Sequence, residues 1–296
     1  MRKILTAVAL PILALCCAQA AFSQSSQSYP NRPIRMIVPW NPGGTSDTIA
    51  RLLGNKMTEH WGQQVVIDMR AGASGIIGTE IAMGTTPDGY TLLHANMSQW
   101  ATNPYLYKTR YDTLRDFTPL SLVAIAPQLV VVYPGLPVKS VKDLIGYAKS
   151  KPGELNFGSG GAGTLAYSAG ELFKSMTGVN LVHIPFKGTI LALNDLLAGR
   201  VQVVFSDMPT VAESGVPGYS LENSWGIFAP KGLPKNLIKT LNTEIVRVHN
   251  LKDIKERFVS LGVEATSSTP EEFAAVIKSD AATFSKIIKA TGAKVD

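Results

Sequence analysis

The chain has 296 residues, 45% apolar and 17% charged with 8% aromatic, a balance that excludes disorder, collagen-like repeats and coiled coil and leaves room for two domains. The formal charge of +6 is mild, no five Lys or Arg residues run together, and aromatics are not interleaved with basic residues, so nucleic acid is not an expected partner.

Arg2 and Lys3 precede an apolar stretch, residues 4–18, broken only by Thr6 and Pro11 and too short to span a bilayer comfortably. Ala18-Gln19-Ala20 then supplies a small-x-small site. Residues 1–20 read as a secretory signal peptide, with cleavage after Ala20 or Ser23. The alternative, lipidation at Cys16 or Cys17, fits less well because Leu15 precedes Cys16 where a small residue is wanted. Both cysteines lie in the removed segment, so disulfides, thiolate nucleophiles and cysteine metal sites are not expected in the mature chain.

Residues 34–38 predict a strand that ends in the loop Pro39-Trp40-Asn41-Pro42-Gly43-Gly44. A helix follows, with Thr45 or Ser46 able to cap it and Ile49, Leu52, Leu53, Met57 and Trp61 on one face before Gly62 stops it. A strand at 65–68, the turn Gly72-Ala-Ser-Gly75, a helix at 76–83 and a strand at 91–95 complete a β-α-β-α-β run, which implies a parallel sheet with right-handed crossovers. The mostly apolar residues 120–133 could bridge two domains.

A second alternating set comprises a Ser140-capped helix at 141–150, strands at 155–158, 181–184 and 201–205, and helices at 164–176 and 190–197. A strand at 225–229 is expected to return to the first half. Helices at 234–248 and 252–260 follow, and a last helix opens with Thr269, Pro270 and Glu272 in a capping-box arrangement.

Gly158-Ser-Gly-Gly-Ala-Gly163 satisfies G-x-G-x-x-G between a strand and a helix. The next strand ends at His183-Ile184-Pro185-Phe186, without the acid that would hold a ribose, so a dinucleotide cofactor is not expected. What remains is a glycine loop whose backbone N–H groups can approach an anion at a helix start. Pro42-Gly43-Gly44 repeats that device in the first half, and two such loops suit a small carboxylate held in a cleft. Asp47, in the first helical turn, reads as a capping and dipole residue. His60, His94, His183 and His249 have no metal-ligand spacing, and no G-x-S-x-G elbow surrounds Ser159 or Ser74. Neither a metal nor another cofactor is expected, and no catalytic residue is assigned. Trp40 could stack on a ligand or serve only as packing.

From Tyr29 onward the sequence resembles the periplasmic receptors of tripartite tricarboxylate transporters, the Bug receptors. The resemblance is carried by Tyr29-Pro-Asn-Arg-Pro-Ile34, Val38-Pro-Trp-Asn-Pro-Gly-Gly44 with Asp47, Gly72-Ala-Ser-Gly75, Pro87-Asp-Gly-Tyr-Thr-Leu-Leu93, His183-Ile-Pro-Phe-Lys-Gly188 and Pro209-Thr-Val-Ala-Glu213. It implies a two-lobed α/β fold of the type II periplasmic binding class, each lobe a mostly parallel sheet flanked by helices. Lobe one would comprise 29–122 and 226–296, and lobe two 123–225. It also implies a monomeric, periplasmic, non-enzymatic receptor that passes a small organic acid (a di- or tricarboxylate, aromatic acid or amino acid) to membrane transporter subunits; the alternatives are a ligand-sensing or degenerate receptor acting through a membrane sensor, and a secreted α/β hydrolase. The binding residues it points to are Trp40, Asn41, Gly43, Gly44, Thr45, Ser46 and Ser98 in lobe one. In lobe two they are Ser159, Gly161, Gly163, Thr164 and Asp207.

The sequence departs from that pattern in two places. Tyr167 stands where relatives usually carry a histidine. Between residues 201–205 and the Pro209 block, roughly thirty residues, the scale of one supersecondary unit, are missing, which predicts a trimmed second lobe with unpaired strand edges. Asp207 could match either of two family aspartates.

Overall fold

The first half folds as its hydrophobic pattern dictates. Strand β1 (Ile34–Val38) has Ile34, Met36, Ile37 and Val38 fully buried. Helix α1 (Thr45–Trp61) turns Ile49, Ala50, Leu53 and Met57 inward, and Gly62 ends it in the left-handed conformation at φ +64° with its N–H on the Thr58 carbonyl at 3.0 Å. Strand β2 (Val65–Met69), helix α2 (Ile76–Met83) and strand β3 (Thr91–Asn96) follow, and β1 pairs in parallel with both β2 and β3. A computed structural model describes residues 29–206 and 222–293 of the chain. The leader with its cleavage sites, Asp207 and the Pro209 block lie outside the described residues.

Beyond β3 the chain makes a π-helical turn, Ser98–Thr102, and two short helices, α3 (Asn103–Leu106) and α4 (Thr113–Asp116). The apolar run expected to bridge domains is two strands in different sheets. β4 (Phe117–Pro127) belongs to the first sheet, β5 (Leu129–Val132) to the second, and only Gln128 separates them. The second set is helix α5 (Val141–Ser150), strand β6 (Leu155–Ser159), helix α6 (Leu165–Thr177), strand β7 (Leu181–Pro185), helix α7 (Thr189–Leu197) and strand β8 (Val203–Ser206). Strand β9 (Glu222–Pro230) returns to the first sheet, antiparallel to β3 and β4. Helices α8 (Lys235–His249) and α9 (Lys252–Ser260), the two-residue strand β10 (Glu264–Ala265) and helix α10 (Pro270–Thr291) complete the chain. Thr269 and Glu272 form the anticipated capping box on α10.

The two sheets repeat one arrangement. The first runs β10-β4-β9-β3-β1-β2 and the second β5-β8-β6-β7. Each contains a parallel trio (β2-β1-β3 and β7-β6-β8), and an antiparallel strand from the other side of a crossover pairs with its third member. The molecule is thus a two-lobed α/β fold. Lobe one continues outward past its antiparallel strand; among the described residues lobe two stops at β5. β8 keeps partners on both sides, so the exposed edge falls on β5, whose Leu129, Val130, Val131 and Val132 are all half-buried.

Among the described residues an apolar cluster runs through both lobes, and a smaller one of Ala192, Leu196, Val201 and Val204 lies within lobe two. Trp100 meets Phe228 and Phe273 with ring centroids 5.6 Å away in each case, and Phe157, Phe173 and Phe205 extend the same cluster into lobe two. α10 packs against β4 and against α6 of the second lobe. Among the described residues no helix is long and apolar enough to cross a membrane.

Candidate functional site

Parallel strands deliver their carboxyl ends to the same edge of a sheet, and the loops that leave them gather there. In lobe one that edge carries Trp40 after β1, the turn Ala73–Gly75 after β2 and Ser98 after β3. In lobe two it carries the Ser159-to-Thr164 loop after β6 and Lys187 and Gly188 after β7.

The first loop is shaped from within. Gly43 adopts φ +89°, its N–H donates to Asp47 Oδ2 at 2.9 Å, and Asp47 Oδ1 accepts from Arg51 Nε at 2.6 Å. Asp47 therefore closes the turn, as the capping reading anticipates. The cap differs from the expected one: Gly44 occupies the N-cap, Thr45 and Ser46 are already helical, and no side chain bonds to the first-turn amides of α1. Those N–H groups stay uncapped at the positive end of a 17-residue helix. Ser46 is buried, and its Oγ accepts from Trp225 Nε1 on β9 at 2.8 Å.

Among the described residues, buried polar groups on this edge lack a hydrogen-bond partner, Asn103 Oδ1 among them. Trp40 Nε1 and Ser98 Oγ are both buried and unbonded, and Ser98 as a whole is 1% exposed. A buried donor left unpaired costs roughly 1–3 kcal/mol, so native structures seldom keep one without a use.

The turn before α2 is strained. Ala73 and Ser74 both sit in the left-handed region, at φ +47° and +52°, a conformation that costs a residue with a Cβ about 1–2 kcal/mol. Contacts to both lobes over-determine it. Ser74 O accepts from Gln99 Nε2 at 3.1 Å and Asn103 Nδ2 at 2.9 Å, while Ser74 Oγ donates to the Ala162 carbonyl of lobe two at 2.5 Å.

In lobe two, Thr164 caps α6 by accepting from Tyr167 N at 3.3 Å, and its hydroxyl donates to Gly161 O at 2.7 Å. Ser159, fully buried, accepts from Gly161 N at 3.1 Å, and its Oγ lies 2.7 Å from His183 Nε2. The His183 ring is held between Phe157 and Tyr167, with centroids 4.8 Å away on each side. Tyr167, the departure from the family pattern, thus packs on the histidine of the neighbouring strand. The Ser159–His183 contact was not apparent in the sequence; it follows from the β6–β7 register, which sets Phe157 beside His183. It orients a hydroxyl already engaged by the glycine loop.

The lobes meet through these loops. Asn41 Nδ2 donates to Lys187 O, Tyr107 Oη donates to Ala162 O, and Thr102 Oγ1 donates to Gly163 O at 2.5 Å. Gly163, at φ +88°, could carry no Cβ here, since one would stand 2.4 Å from the Tyr107 ring and 2.9 Å from Asn103 Oδ1.

The expected residues therefore divide. Trp40 and Ser98 offer unspent hydrogen-bonding groups, while Gly44 and Thr45 present uncapped backbone. Gly43, Ser46, Ser159, Gly161 and Thr164 shape the loops, and Asn41 and Gly163 join the lobes. Ser74, Thr102, Tyr107 and His183 were not among the expected residues. The Gly72-Ala-Ser-Gly75 motif pointed toward Ser74; nothing local marks Thr102 or Tyr107.

Residues 49–212 match the model of the tripartite tricarboxylate transporter family receptor, TctC. Protein BugT of Bordetella pertussis is 32% identical over 312 residues, covering 95% of this chain and 96% of BugT. That alignment is longer than the 296 residues of the chain, so this chain lacks segments that BugT has. Among solved structures, Rpa4515 of R. palustris with adipate superposes with a TM-score of 0.87 at 32% identity, covering 90% of this chain and all (100%) of that one. MatC from Rhodopseudomonas palustris with bound malate gives 0.81 at 25% identity, covering 88% of this chain and 100% of that one.

Proposed function

Because the chain belongs to the tripartite tricarboxylate transporter receptor family, we propose that it is an exported receptor that captures a small organic carboxylate between its two lobes. The observation that carries this reading is the pair of buried, unspent groups Trp40 Nε1 and Ser98 Oγ beyond adjacent parallel strands. An indole N–H and a hydroxyl can both donate to a carboxylate oxygen, and the uncapped first turn of α1 adds a favourable dipole. Adipate bound to Rpa4515 and malate bound to MatC support the ligand class.

A ligand touching both lobes favours the closed arrangement by its differential affinity for it. Residues 1–20 would direct the chain to the periplasm and be removed there, and the closed receptor would hand its ligand to membrane subunits. No step of this function is catalytic.

A thermal-shift screen of di- and tricarboxylates, aromatic acids and amino acids tests the reading. At least one acid should raise the melting temperature, and Ser98→Ala together with Trp40→Phe should abolish the shift without unfolding the chain. Failure of every acid to move the transition would overturn it.

A further inference from the structure

The unpartnered groups at the carboxyl edge of lobe one differ in kind. Among the described residues Trp40 Nε1 can only donate and Ser98 Oγ can do either, but Asn103 Oδ1 can only accept. The neighbours of the Asn103 amide fix which way it points. Its Nδ2 lies 2.9 Å from the Ser74 carbonyl, which has no proton to give, so the nitrogen must face Ser74 and the oxygen must face away. That oxygen is buried along with the whole residue, and it borders the space that Gly163 leaves open. A Cβ on Gly163 would stand 2.9 Å from it.

The π-helical turn sets Asn103 in line with Ser98. The Asn103 N–H donates to the Ser98 carbonyl five residues back, so these two residues stack one turn apart, where an α-helix would stack residues four apart. A carboxylate oxygen suits Trp40 and Ser98, but it has no proton for Asn103 Oδ1 and would be repelled by it. The partner of that oxygen must bring a donor. An ammonium would bring a charge as well, and Asp47, the carboxylate of the first loop, is already taken by Gly43 and Arg51. From this set of groups we infer that the ligand is a hydroxycarboxylate. Its hydroxyl donates to Asn103 Oδ1 while its carboxylate takes the Trp40 and Ser98 donors. This inference rests on the receptor reading and narrows it.

A site built around a hydroxyl rejects the analogue that lacks it, because the buried acceptor is then left unpaired. The experiment is calorimetric titration of the full chain, stripped by unfolding and refolding, with acids that differ by one hydroxyl. The pairs are malate and succinate, 2-hydroxyadipate and adipate, and mandelate and phenylacetate, each hydroxy acid in both enantiomers. Aspartate puts an ammonium in place of the malate hydroxyl. The same acids are titrated into Asn103→Leu, which removes the acceptor while Ser74 O keeps Gln99 Nε2. Circular dichroism checks the fold of the variant.

In at least one pair the hydroxy acid should bind the wild type about tenfold or more tightly than its partner. Malate should bind more tightly than aspartate wherever either binds. In Asn103→Leu the preferred pair should bind with affinities within about twofold of each other. If that variant does not fold, the wild-type ratios decide the matter alone. Acids without the hydroxyl that bind as tightly as their partners, tighter binding of aspartate, or an unchanged preference in the folded variant would overturn the inference and leave the receptor reading standing. Binding by no acid at all would overturn that reading and this inference with it.

Discussion

The indole of Trp225 donates to Ser46 Oγ at 2.8 Å, tying the strand that returns from lobe two to the first turn of α1. Ser46 and Ser98 looked equivalent as candidate binding hydroxyls, yet one is spent inside the protein and the other is free.

Their alanine variants should therefore behave oppositely. Ser46→Ala leaves Trp225 Nε1 buried without an acceptor and should lower stability by roughly 1–3 kcal/mol, with little loss of ligand affinity. Ser98→Ala removes a hydroxyl that has no partner, so denaturant unfolding should barely change. Its loss of a hydrogen bond to a charged ligand should weaken binding about tenfold or more. Urea titration and calorimetry on the two variants separate the roles.

Gly163→Ala should uncouple folding from closure. The new Cβ would press on the Tyr107 ring at 2.4 Å and require a left-handed alanine at φ +88°. Separating the lobes relieves the first problem but not the second. Ligand affinity should fall by at least tenfold, while stability falls by about 1–2 kcal/mol from backbone strain. An affinity equal to wild type would show that Gly163 does not set the approach of the lobes.

Ala73→Gly should stabilise the protein. The native φ of +47° suits glycine and strains alanine, and relief of that strain outweighs the added freedom of the unfolded chain. A gain of roughly 0.5–1 kcal/mol in urea unfolding is expected, with the Ser74 hydroxyl still in place.

Half-buried Asp280 and fully buried His94 give opposing pH dependences. Burial pushes the Asp280 carboxyl up to about 6, with the Trp100 N–H opposing that rise and the Glu222 charge adding to it. Between about pH 4 and 6 the folded chain therefore holds a proton that the unfolded chain has released, and stability falls as pH rises through that window. Burial, reinforced by His249, pushes the His94 imidazole down to about 3. It contributes stability that is present above the unfolded value near 6.5 and is lost as pH falls toward 3. Asp280→Asn keeps an acceptor for Trp100 and removes only the first contribution. Relative to wild type it should be more stable at pH 7.5 than at pH 4, by up to roughly 3 kcal/mol. Equal stability differences at the two pH values would contradict the assignment.

The sequence carried the elements whose signals are local. β1, with its apolar run, α1, with its inward stripe and terminal Gly62, and α10, with its capping box, all follow from neighbours within a few residues. The split of the apolar run into β4 and β5 was hidden, because both halves are equally apolar and only pairing distinguishes them. The site divides in the same way. The glycine loops were visible as motifs, whereas the partners that spend or free each hydroxyl come from far along the chain. Trp225 is 179 residues from Ser46, and Tyr107 is 55 from Ala162. Asn41 was expected at the site for its loop, and its role at the lobe junction appeared only with its partner Lys187 in place.

Calorimetric titration of the ligand-stripped chain with adipate and malate, beside wild-type and Ser98→Ala protein, tests the proposed receptor most directly. The proposal predicts saturable binding of one carboxylate per chain to the wild type and at least tenfold weaker binding to the variant. Absence of heat and of any thermal shift with these and the wider set of acids, or unchanged binding by the variant, would contradict it.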